Sequence, residues 1–118
     1  MPGLLQLVLD AEEDIIRLNK SLDKVTLKLV SAEVLTASSA GDYVVIDIPF
    51  LESHEVTNAP ASGITLITRS GTRYSNESGN SVMFRDIDVP ETFTVRVVNP
   101  SGELATQLSK AVLTFEYQ

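Results

Sequence analysis

The sequence has one histidine and no cysteine, so most side-chain chemistry would have to be centred on His54. This residue stands between Glu52 and Glu55, where a carboxylate–imidazole metal site would still need further ligands from distant parts of the chain. A nucleophile–base–orienter triad would have to use the same imidazole, and no G-x-S-x-G elbow surrounds any serine. His54 is accordingly read as an exposed loop histidine. Two carboxylates across a cleft would suffice for glycoside hydrolysis, but nothing in the spacing of the 16 acidic residues selects a pair. Asp10, Glu12, Glu13 and Asp14 cluster without the ligand spacing or central glycine of a calcium loop, and read as a solvated turn. The glycines form neither of the phosphate-cradling patterns, G-x-G-x-x-G or Walker A. The chain is therefore read as not an enzyme, with no catalytic, cofactor-binding or metal residue and no cofactor.

Two further groups could serve recognition instead of catalysis. Arg69, Arg73, Arg85 and Arg96 fall in or beside strands of the second half, while much of the acid lies in the first half. They read either as ordinary outward residues or as a positive patch that meets an acidic patch on a neighbouring copy and sets docking register. Tyr43, Tyr74 and Tyr117 could anchor a carbohydrate or protein interface, although tyrosines spaced like this more often mark core edges.

Composition bounds the scaffold that must position these groups. A length of 118 residues suits one domain. With 6% aromatics and no tryptophan, the core must be built from Val, Ile and Leu, and β-branched residues favour strands. The net charge of −7 repels phosphate backbones and anionic lipid, so neither nucleic acid nor membrane is expected as a partner. The opening "MPGLLQLVLDAEED" has no basic n-region, and its apolar run is too short for a signal peptide or a membrane span, from which intracellular synthesis is expected. The sequons at Asn19 and Asn76 read as fortuitous matches.

Periodicity supplies the elements. In "VTLKLV", Val25, Leu27 and Leu29 share one face, and the alternation can continue through "SAEVLTA" to Ala37 as one long, bent strand. "YVVIDIPFL" is nearly continuous apolar sequence that Pro49 ends or places at an edge. Residues 52–63 read as a long exposed loop, "ITLITRSG" as a strand, and "TRYSNESGNS" as a polar, turn-rich connection. "VMFRDIDV" is a strand stopped by Pro90. In "TFTVRVVNPSGELATQLSKAVLTFEYQ", Phe93, Val95 and Val97 face one way, "NPSG" signals a turn, and Leu113, Phe115 and Tyr117 share a face, which together read as a closing β-hairpin. The N-terminal third fits both templates. An amphipathic helix is possible, but the β-rich remainder favours a strand from about Leu4 to Leu9, a charged turn at Asp10 to Asp14, and a short strand or turn at Ile15 to Leu18. The sum is an all-β, antiparallel β-sandwich of about eight strands spanning residues 1–118 as one domain.

The closing "TFTVRVVN", the turn "PSG" with Glu103 and Leu104, and the final "VLTFEY" resemble the end of the small single jelly-roll minor capsid and penton-type proteins of large DNA viruses, virophages and polinton-like viruses. "VTLKLVSAEV", "DYVVIDIPFL", the loop with Thr57 and Asn58, and "GITLITRSG" extend the resemblance more loosely along the chain. Asn99-Pro100 stands where that family's turn usually carries an acid, and "DAEEDIIRLNKSLD" has no obvious counterpart there. The resemblance implies a single jelly roll and a structural virion protein (a minor capsid, penton or cement component) that self-associates and contacts other capsid proteins. It also implies a place in the virion, assembled inside the host cell. The alternative reading is a carbohydrate- or receptor-binding β-sandwich module of the adhesin or fibre-tip type.

Overall fold

In a computed structural model the chain is all-β. The structure describes residues 3–37, 41–54, 64–68, 72–76, 82–105 and 108–118. Among these are nine strands: β1 (Gly3–Leu9), β2 (Glu13–Arg17), β3 (Leu22–Thr36), β4 (Tyr43–Asp47), β5 (Ile64–Thr68), β6 (Arg73–Ser75), β7 (Val82–Val89), β8 (Thr92–Val98) and β9 (Leu108–Tyr117). A short 3-10 helix, Pro49–His54, follows β4.

Every pairing among the described strands is antiparallel, and they form two sheets with the orders β1-β9-β3-β7 and β2-β8-β4-β5. The chain crosses between sheets at almost every step, which is the double-sheet winding of a jelly roll. β3 is long enough to belong to both. Its first half pairs with β7, and residues 33–35 pair with β6, which continues into β5 and makes the sandwich a nearly closed sheet. β6 lies inside the stretch expected to be a polar connection. Burial of one residue, Tyr74, is enough to recruit its neighbours into a ladder, and a single aromatic within polar sequence gives no period to detect.

Alternation dictates the core. Leu5, Leu7 and Leu9 of β1, Val44 and Ile46 of β4, Phe93, Val95 and Val97 of β8, and Leu113 and Phe115 of β9 point into one continuous apolar cluster between the sheets. Each such side chain contributes about 1.5–3 kcal/mol when fully buried. Residues 3–17 form two strands and no helix, and the charged turn between them is shorter than expected because Glu13 and Asp14 already pair with Arg96 and Val95 of β8.

The expected closing hairpin is not formed. Asn99 does turn the chain: its Oδ1 accepts from the Ser101 and Glu103 backbone N–H groups at 3.0 and 3.1 Å, and Gly102 takes the positive φ of 90° that the turn requires. Leu104 then touches β8 through one bridge to Val98. The chain next leaves that sheet, and β9 inserts between β1 and β3 of the other. Alternation specifies which face of a strand is apolar, not which strand lies beside it, so two sequential strands read as a hairpin whether or not they pair.

β3 changes parity along its length. Val25, Leu27 and Leu29 are buried before residue 30, and Ala32, Val34 and Thr36 after it. A β-bulge between Leu29 and Ser31 inserts the extra residue opposite β9 and keeps both halves facing inward. Asn76 holds the bulge from the side. Its Oδ1 accepts from Ala32 N–H at 3.0 Å and its own N–H donates to the Ala32 carbonyl at 3.2 Å. An Asn76→Ala substitution strands the part-buried Ala32 N–H and is expected to cost about 1–2 kcal/mol in urea unfolding. A loss below a few tenths would mean that the bulge does not depend on this clamp. The second sequon is thus a structural asparagine.

Candidate interaction surface

The strands place outward side chains in registered rows across the β1-β9-β3-β7 face. In the first row Leu4 pairs with Glu116, Glu116 with Lys28, and Lys28 with Met83. The middle row is Gln6, Thr114 and Ser31. The third runs Val8, Val112, Glu33 and Ser75. Leu4 is 70% exposed, and Val8, Val30 and Met83 are each more than 40% exposed. Apolar side chains standing in water on one face of a sheet are the informative exception to burial, because grouped exposure marks contact surfaces while scattered single residues do not.

A groove of about 370 Å³ at the bulge opens on this face, lined by Ser31, Glu33, Leu35, Ser75, Asn76 and Lys110 among others. Glu33 is held by a fork from Arg73, whose Nε lies 3.2 Å and Nη2 3.3 Å from its two carboxylate oxygens. Such bidentate geometry fixes the carboxylate in direction as well as charge.

The opposite sheet presents a different surface. Glu13, Arg96 and Asp47 occupy one row across β2, β8 and β4. Arg96 Nε lies 3.4 Å from Glu13 Oε2 and Nη1 lies 3.9 Å from Asp47 Oδ2. Buried Nε is within ion-pair range of Glu13 but off the line of a hydrogen bond, since no hydrogen-bond partner among the described residues meets it. The trio ties three strands together electrostatically. With these groups partly open to solvent, Arg96→Ala is expected to lower the unfolding free energy by about 1 kcal/mol, with Arg96→Lys recovering part of it. Equal stability of all three proteins would show that the trio contributes nothing.

Arg73 and Arg96 pair with acids of the first half of the same chain. Arg85 stands exposed on β7, and Arg69 lies outside the described residues. Tyr74 is fully buried and donates its hydroxyl to the Gly41 carbonyl at 2.9 Å, while Tyr43 and Tyr117 are half-buried at the core margin. His54 sits at the end of the 3-10 helix instead of in an irregular loop. The following loop with Thr57 and Asn58 lies outside the described residues. Among the described residues no three His, Cys, Asp or Glu side chains are grouped to hold a metal, and no helix is long and apolar enough to cross a membrane.

Residue chemistry does not single out the outward residues Lys28, Glu33, Leu4 and Val8, because outward positions in a sheet tolerate almost any type. Only strand register brings them into rows. The signal available in the sequence is the loss of polar residues at alternate positions in "LLQLVL", where Leu4 and Val8 occupy the face that a solvated strand gives to polar groups. No family model matches the chain, and no curated protein is significantly similar to it.

Proposed function

We propose that this protein is a structural shell component of the minor capsid, penton or cement kind, which acts by binding copies of itself and other capsid proteins. The observation that carries the reading is the exposure of Leu4, Val8, Val30 and Met83 on strands of one sheet, interspersed with Glu116 and Lys28. A jelly roll with such a face offers a small contact surface without any reactive group, and repeated weak contacts are what a closed assembly is made from. Edge management is consistent with controlled association. β7 pairs with β3 alone among the described strands, and its ladder is interrupted by bulges at which Lys24 and Asp86 take positive φ values of 52° and 57°. Bulges of this kind discourage indiscriminate edge-to-edge pairing and leave the face as the better contact.

Electron microscopy of the concentrated chain, paired with a glycan array, tests this function. Closed rings or extended two-dimensional arrays without saturable sugar binding are expected. Single-copy particles that bind one glycan class saturably would replace the shell reading with the receptor-binding one.

A further inference from the structure

The rows on the β1-β9-β3-β7 face are related to one another by a two-fold operation, and we propose that this face pairs with the same face of a second copy. The proposal rests on the self-association reading above and specifies its surface and register. Take an axis lying in the face along the middle row, Gln6, Thr114 and Ser31, at right angles to the strands. Rotation about it lays the first row of one copy over the third row of the other. Leu4 then covers the partner copy's Val8, and Lys28 meets the partner copy's Glu33, each contact occurring twice by symmetry.

Charge supports this occupant. The chain carries −7 overall, a general repulsion between copies, yet on this face Lys28, Lys110 and Arg73 stand beside Glu33 and Glu116, so the face itself is not acidic. Both Glu33 carboxylate oxygens are engaged by the fork from Arg73, which holds the carboxylate in place for the partner copy's Lys28 to share. A two-fold along the strands would instead lay Lys28 over the partner copy's Glu116 and Leu4 over its Met83, a register in which substitutions at positions 28 and 33 do not face each other and so cannot rescue each other. With strands about 4.8 Å apart and residues about 3.4 Å apart, the three rows cover on the order of 400 Å² per copy. That is below the roughly 800 Å² per partner of a standard interface, so the pair is weak and reversible, as a building contact should be.

The test is complementation between two charge reversals, followed by sedimentation velocity of the full chain. Lys28→Glu alone sets carboxylate against carboxylate in the pair, and Glu33→Lys alone sets ammonium against ammonium. Each is expected to weaken self-association about ten-fold or more. When the two variants are mixed in equal amounts, the carboxylate introduced at position 28 of one faces the ammonium introduced at position 33 of the other. The unaltered Glu33 of the first meets the unaltered Lys28 of the second, so association returns to the wild-type level. Loss of the Arg73 contact in Glu33→Lys is controlled by circular dichroism and by Leu4→Arg, which alters a side chain already 70% in solvent and is also expected to weaken association. Singly defective variants that fail to rescue each other would overturn the two-fold register. Wild-type association that none of the three substitutions changes would overturn the face as the contact while self-association stands. A wild-type chain that never associates would remove the self-association reading itself, and this proposal with it.

Discussion

Replacing Phe115 by alanine is expected to lower the unfolding free energy by about 3–5 kcal/mol, the cost of deleting a fully buried aromatic ring and leaving its cavity. Phe115 is wholly inaccessible and lies on β9 opposite Leu5 on one side and Leu29 on the other. Its loss therefore loosens three strands of one sheet together. Domains of this size are stable by about 5–15 kcal/mol, so the variant is expected to populate unfolded chain at moderate temperature or to melt about 10–20 °C lower. Urea and thermal unfolding followed by circular dichroism measure the effect. A loss under about 1 kcal/mol, far below the cavity cost, would mean that β9 is not inserted between β1 and β3.

Tyr74 gives the second large effect and separates packing from hydrogen bonding. The residue is fully buried although β6 has only three residues, so its ring, more than the short ladder, explains why polar sequence here adopts strand. Tyr74→Ala is expected to cost about 3–4 kcal/mol. Tyr74→Phe keeps the ring and removes the hydroxyl that donates to the Gly41 carbonyl at 2.9 Å, for an expected cost of about 1 kcal/mol. The ratio is the informative quantity. If the phenylalanine variant were as damaged as the alanine one, the hydroxyl contact, and not ring burial, would be what joins β6 to the rest of the sandwich.

The contrast between these two residues shows how much of the fold was legible in the sequence. Phe115 sits in "AVLTFEY", where alternation alone assigns it to a buried face, and the same rule places Leu5, Leu27, Val95 and Leu113 where the structure has them. Tyr74 has no apolar neighbours at alternate positions, so its burial depends on tertiary contacts that no local pattern announces. Pairing is the other hidden quantity. Phe93 to Val97 and Leu113 to Tyr117 are recognisable as strands, but their separation into different sheets depends on where β1, β2, β3 and β4 run. The bulge in β3 is partly visible, since Leu27 and Leu29 give way to Ala32 and Val34 with a change of parity, and only Asn76, distant in sequence, shows how it is held.

For the interaction surface the limit is similar. Leu4 and Val8 are apolar at positions where a solvated strand would be polar, but the relation of Lys28 to Glu33 acquires meaning only when β3 is laid beside β9 and β1. The arginines illustrate the reverse. Their segregation from the acids along the chain suggests contact between copies, and the fold brings Arg73 and Arg96 to acids of their own chain. Segregation in sequence is not segregation in space when every second strand returns to the same sheet.

Sedimentation velocity of the wild-type chain from about 1 µM to about 1 mM, the range in which weak protein contacts form and dissolve, bears most directly on the proposed self-association. Reversible growth beyond the 12.8 kDa single copy as concentration rises, suppressed by Leu4→Arg, is the predicted result. One 12.8 kDa species at every concentration would contradict it.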